Sequence, residues 1–94
     1  KLGMAIITDE NGVLTGVLTD GDIRRNLIKY KDVQGLKVID AMTKSPKTVK
    51  ADSYAASALH LMEKYSITAL PITDENGIPK GIVHVHDLLK AGVV

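Results

Sequence analysis

Two copies of a small α+β unit make up this 94-residue chain, and three observations lead there. The first is a repeat. Thr8-Asp9-Glu10-Asn11-Gly12 returns unchanged as Thr73-Asp74-Glu75-Asn76-Gly77, an offset of 65 residues. Residues 8–25 share seven identities in 18 positions with residues 73–90. A repeat of this kind sets the architecture before any local reading does. The second is an alternation of element types: short aliphatic runs flank each Asn-Gly turn, and a stretch of helical period follows each pair. The third is composition. The chain is 45% hydrophobic and 24% charged, with three Tyr and neither Phe nor Trp, so its packed core is aliphatic.

The elements follow in order. Met4–Thr8 is an apolar run that predicts a strand. Asp9–Gly12 is a hairpin turn, with Asn11-Gly12 expected to supply positive φ values. Gly16–Thr19 is the second strand. Asp20 to about Tyr30 predicts a helix, because Ile23, Leu27 and Tyr30 recur at i, i+4, i+7 on one face. Lys31–Lys37 is a polar connection, and Val38–Met42 a short helical turn that Ser45-Pro46 ends. Thr48-Val49 suits a brief extended segment. Asp52 or Ser53 is placed to cap a helix running to Lys64 or Tyr65. Its stripe of Ala55, Ala58, Leu59 and Met62 faces a sheet. The first pattern then returns as strand Ala69–Thr73, turn Asp74–Gly77, strand Gly81–Val85 and helix His86–Lys90, with Gly92 ending it. Tyr30, Tyr54 and Tyr65 read as packing residues, and His60 as a surface residue.

The second copy is the longer, because Val38–Tyr65 precedes its hairpin. By the offset, the first copy's counterpart of residues 38–65 would lie before residue 1. The chain thus reads as one whole strand–helix–strand–strand–helix copy, residues 38–94, and part of another, residues 1–37. It opens at Lys1 without an initiator Met and reads as a piece of something longer.

Bulk properties exclude several classes. A net charge of +1 gives no electrostatic case for nucleic acid or a membrane surface. Absence of cysteine excludes a disulfide scaffold and thiolate metal sites, and fits a cytoplasmic protein. No apolar run approaches the roughly 18 residues of a membrane span. No nucleophile stands at a readable spacing from a base, and no glycine-rich phosphate loop is present, so catalysis has no support in these residues.

The chain resembles a tandem pair of cystathionine-β-synthase-type (CBS) domains. The matching pieces are Met42-Thr43, Pro46 and Val49, the helix Ala55–Tyr65, Leu70-Pro71-Ile72-Thr73-Asp74, and Gly16-Val17-Leu18-Thr19-Asp20-Gly21-Asp22. The resemblance implies small three-stranded sheets, each packed by two helices, in two units related by a pseudo-two-fold axis. A narrower resemblance rests on Leu18–Arg25 and on His84–Val94. These look like the tail of the D-arabinose-5-phosphate isomerases, which carry a sugar-isomerase domain followed by a CBS pair and lead to Kdo for lipopolysaccharide or capsule.

The residues at the two strand-to-helix corners carry the chemistry. Thr19 sits where a helix begins, so free backbone N–H groups and a hydroxyl there suit a phosphate. Asp22 accepts only, which suits a ribose. Arg24 and Arg25 suit phosphate or carboxylate. Thr19 and Asp22 also form the Thr-x-x-Asp pattern of a capping box, which needs no ligand. In the second copy His84 replaces the Thr, His86 precedes Asp87, and Lys44 and Lys47 lie in the segment ahead. His84 and His86, at i and i+2 on a strand, project to one side with Asp87 near. Two histidines and one acid leave a zinc shell incomplete, so no metal is assigned. Histidines packed at a strand end are the plainer alternative. The CBS resemblance adds Asp20, Thr48, Leu70 and Pro71 to the ligand-facing set and places Ser45–Lys50 beside the same pocket.

The resulting expectation is a regulatory module that needs no cofactor and binds a nucleotide or nucleotide sugar between its copies, CMP-Kdo being a candidate in the isomerase family. The resemblance implies a bacterial cytoplasmic protein, an attached N-terminal sugar-isomerase domain and a homodimer or tetramer. Two alternatives stand beside it: a structural module that associates through the Ala55–Met62 helix, and an adenine-nucleotide sensor belonging to another host, such as a transporter or dehydrogenase.

Overall fold

A computed structural model describes residues 3–29, 35–90 and 92. They fall into two compact units, Lys1–Pro46 and Lys47–Val94. The first contains β1 (Met4–Thr8), β2 (Leu14–Thr19), α1 (Asp20–Lys29), α2 (Val38–Ala41) and β3 (Thr43–Lys44), with an antiparallel sheet ordered β1-β2-β3. The second contains β4 (Val49–Lys50), α3 (Ala55–Tyr65), β5 (Ala69–Thr73), β6 (Pro79–His84) and α4 (Val85–Lys90). Its sheet is ordered β4-β5-β6, parallel between β4 and β5 and antiparallel between β5 and β6.

The repeated pentapeptide folds the same way twice. Asp9 Oδ1 accepts from the Asn11 and Val13 amides at 2.8 and 3.0 Å, and Asp74 Oδ1 accepts from those of Asn76 and Ile78 at the same distances. The expected positive φ falls on Gly12 (84°) and Gly77 (82°) only, since neither asparagine has it. The turn is therefore closed by an Asp side chain and one left-handed glycine, in place of two left-handed residues. The register slips at Ile7/Thr8 and again at Ile72/Thr73. This is the bulge that a single left-handed glycine leaves at a hairpin.

Strand β3 lies just ahead of the break expected at Ser45-Pro46. Met42 leaves α2 in extended backbone (φ −73°, ψ 160°), and Thr43 and Lys44 pair with Val17 and Gly16. Gly16 makes this approach possible. A Cβ there would lie 2.6 Å from Met42 Sδ and 2.9 Å from the Thr43 carbonyl oxygen. The repeat boundary drawn after Lys37 belongs to the sequence; in space α2 and β3 lie with the first unit, which runs to Pro46.

Most of the apolar core lies in the second unit. Ala58 and Met62 of α3 pack with Leu70 of β5 and Leu88 of α4, and Val49, Leu59, Leu61, Ile67, Val83 and Val85 close around them. At roughly 1.5–3 kcal/mol for each large aliphatic side chain, this cluster is the main stabilising feature of that unit. Ala55, expected in the same stripe, is exposed.

Several local expectations are corrected. Tyr54 precedes α3 as its N-cap without a side-chain hydrogen bond, so neither Asp52 nor Ser53 caps it. Ser53 instead closes the preceding turn, its Oγ accepting from the Lys50 amide at 3.2 Å. Tyr54 is 82% exposed and packs on nothing, while exposed Tyr65 carries Lys47 Nζ over its ring at 4.5 Å. On α1, Ile23 and Leu27 are about half exposed. The third member of that face, Tyr30, lies outside the described residues, as does most of the connection after it. Gly92 ends α4 as expected, at φ 78° with its N–H donating to the Leu89 carbonyl.

Candidate functional site

The first corner is built by the reciprocal bonds of a capping box. Thr19 Oγ1 accepts from the Asp22 N–H at 3.2 Å, and Asp22 Oδ2 accepts from the Thr19 N–H at 2.9 Å. The Thr19 hydroxyl then donates to Asp22 Oδ2 at 3.1 Å. Two further donors reach Oδ1: the Arg25 guanidinium from one turn along α1, and Thr43 Oγ1 from β3 at 2.9 Å. Four donors fill the roughly four lone-pair sites of a carboxylate. Asp22 is only 3% exposed. Burial by itself pushes its pKa up; the Thr19 amide, Thr43, the Thr19 hydroxyl and Arg25 outweigh it and hold the carboxyl below its ordinary range.

This geometry changes the reading of the first corner. The amide and hydroxyl offered to a phosphate are spent within the chain, and the acceptors offered to a ribose are occupied. Arg25 is tied to Asp22 while remaining 70% exposed. Asp20 and Arg24 are exposed beside it. The residue that sequence reasoning missed is Thr43. Its contact spans 21 positions, and no local pattern announces such a partner.

The second corner has the same backbone path and none of this closure. His84 ends β6 and stands where Thr19 stands; Asp87 stands where Asp22 stands. A histidine cannot form the short hydroxyl bridge of the capping box, and among the described residues the Asp87 side chain makes no hydrogen bond or ion pair. Asp87 and His86 are exposed and His84 is half-buried. The expectation that His84 and His86 project to one side of a strand is corrected: the strand stops at His84, and His86 lies on α4. Residues two apart on a helix do not share a face. Among the described residues no group of three His, Cys, Asp or Glu side chains is placed to hold a metal ion.

The remaining ligand-facing expectations separate. Leu70 and Pro71 are fully buried, and Leu70 is the centre of the second unit's core, so the side chains of both serve packing. Thr48 is half-buried just ahead of β4. The segment Ser45–Lys50 is divided between the units: Lys44 pairs in the first unit's sheet, and Lys47 caps the Tyr65 ring in the second. His60 is exposed on α3, as expected.

Two three-stranded sheets, a duplicated Asp-closed turn and a helix launched by Thr-x-x-Asp define a class of small-molecule-sensing module. The family model described as CBS domain matches residues 38–94, and the chain belongs to the CBS domain family. Over 93 residues it is 45% identical to the arabinose 5-phosphate isomerase KdsD of Pseudomonas aeruginosa, covering 99% of this chain and 28% of that protein. The chain thus spans little more than a quarter of that curated relative. Among solved structures, the CBS domain pair of protein MJ0100, in complex with 5′-methylthioadenosine and S-adenosyl-L-methionine, superposes with a TM-score of 0.84 at 28% identity. That match covers 96% of this chain and 69% of the other. The cytosolic domain of the Mg2+ channel MgtE, in complex with ATP, gives 0.77 at 34% identity, over 94% of this chain and 33% of that one. No helix among the described residues is long and apolar enough to cross a membrane.

Proposed function

We propose that this CBS pair is the ligand-sensing part of a bacterial, cytoplasmic arabinose-5-phosphate isomerase and binds a nucleotide or nucleotide sugar, CMP-Kdo being the leading candidate. The observation that carries this reading is the 45% identity to an arabinose 5-phosphate isomerase across 99% of the chain. Similar CBS folds crystallised with S-adenosyl-L-methionine and with ATP support a nucleotide-type ligand. The second corner is the better seat. Asp87 is exposed with unfilled acceptors that suit a ribose, and His84 and His86 suit a phosphate or sugar carboxylate. Regulation follows if the ligand binds two states of the attached enzyme with different affinity.

Calorimetric titration with CMP-Kdo, CMP, AMP and ATP tests the reading. The expected result is saturable heat with at least one of them, abolished by Asp87→Ala. No heat with any of the four at millimolar concentration overturns it.

A second reading, self-association, is favoured by one observation. The first unit exposes Ile28 at 81%, along with Ile23, Leu27, Val38 and Ile39. The α3 face first expected to serve this purpose does not, because Ala58 and Met62 are buried in the core. If Leu27→Lys with Ile28→Lys leaves the molecular mass in solution unchanged, that face is not an interface.

A further inference from the structure

The two sheets are incomplete in complementary ways. In the first unit β2 is central, with β1 on one side and β3 on the other; in the second unit β6, the repeat's counterpart of β2, is an edge strand. Three independent features of β6 match features that β3 satisfies in the first unit. The first is the backbone edge. Thr15 accepts from the Ser45 amide at 3.2 Å, so Thr15 and, two residues on, Val17 turn their backbone groups toward β3. At the offset of 65 these are Lys80 and Ile82, which turn the same groups outward from β6 toward no described strand. The second is glycine. Gly16 is closed upon by Met42 and Thr43, whereas a Cβ on Gly81 would meet only Ile72 Cδ1, at 3.8 Å. The third is the carboxylate. Asp22 receives the Thr43 hydroxyl, and Asp87 receives none.

We infer that the Lys80–Ile82 edge of β6 is a docking site for an extended segment of the same polypeptide lying outside residues 1–94, pairing antiparallel as β3 pairs with β2 and presenting a Ser or Thr hydroxyl to Asp87. An unpaired edge strand is a template for strand addition: main-chain bonds supply affinity and one side-chain contact sets register. The occupied copy shows what chemistry fits, a short strand whose first residue carries the hydroxyl. The source is the same polypeptide because the relatives extend far beyond the matched region, this chain being 28% of the Pseudomonas aeruginosa protein. One docked hydroxyl fills only one of the roughly four acceptor sites on Asp87, so the site remains compatible with a ligand.

Hydrogen exchange and one substitution test this, comparing the 94-residue chain with the full-length polypeptide. The Ile82 amide is expected to exchange at least about tenfold more slowly in the full-length protein. Gly81→Val is expected to lower the melting temperature of the full-length protein by several degrees and to leave that of the 94-residue chain within about one degree. Gly81→Ala, a milder change, is expected to slow exchange less without preventing folding. Equal Ile82 exchange in the two proteins, or an equal response to Gly81→Val, overturns the proposal. Protection that appears in the 94-residue chain only as its concentration rises overturns it too, because the occupant would then be a second copy. Ligand titration plays no part in these readouts, so failure here and failure of the nucleotide reading are separable.

Discussion

The Thr19–Asp22 corner and the His84–Asp87 corner occupy the same place in a duplicated unit, yet only the first is sealed. The sealed corner has a hydroxyl at the helix entry, an arginine one turn on and a threonine arriving from a third strand. At the open corner His84 removes the hydroxyl, Lys90 stands where Arg25 does, and no third strand arrives on β6. The same aspartate is a structural tie in one copy and an exposed acceptor in the other. Position in a repeat therefore does not fix role; the partners do.

The largest test of this contrast is truncation of the two aspartates. Asp22→Ala strips acceptors from the Thr19 amide and the Thr43 hydroxyl, and it is expected to cost about 2–3 kcal/mol in urea unfolding. Asp87→Ala is expected to stay within about 0.5 kcal/mol. The glycines come next. Gly16→Ala drives a methyl into Met42 and the Thr43 carbonyl and is expected to cost about 2 kcal/mol, whereas Gly81→Ala is nearly neutral in the 94-residue chain. Smaller still is the cap itself. Thr19→Ala is expected to lose about 1 kcal/mol, and His84→Thr, which rebuilds the capping box on Asp87, to gain about 0.5 kcal/mol. The turns are where the copies agree. Gly12→Ala and Gly77→Ala are expected to cost the same, about 1 kcal/mol each, because both glycines are left-handed. Thermal or urea unfolding reads all of these, and unequal turn effects would break the premise that the copies share a backbone.

Much of the fold was legible because the repeat made each copy a check on the other. Met4–Thr8 and Ala69–Thr73 are strands with the bounds read from their aliphatic runs. The harder features depend on contacts distant in sequence. Thr43-Lys44 looks like the end of a helical turn before Ser45-Pro46, and it is a strand only because Gly16 admits it. Ile23 and Leu27 have the period of a buried face, but periodicity does not say whether a neighbour is present, and they stay half exposed. Leu70 and Pro71 belong to the family's ligand-facing motif, yet their side chains fill the core. Of the candidate site, Thr19 and Asp22 were placed correctly and their ambiguity was visible: the Thr-x-x-Asp pattern serves a cap as readily as a phosphate. The cap is the role seen here, with Thr43 as the partner that no local signal showed.

The sealed corner has a pH signature of defined sign. A carboxyl whose pKa is lowered by folding contributes its stability in full above its unfolded value, and that contribution is lost as pH falls through the lowered pKa. The most direct measurement is an NMR titration of the Asp22 side-chain carboxyl carbon. The account predicts a midpoint below the ordinary aspartate value of 3.8, moving up in Thr43→Val as one donor is removed. A midpoint at or above that value, or one indifferent to Thr43→Val, would contradict the claim that four donors within the chain hold Asp22 closed.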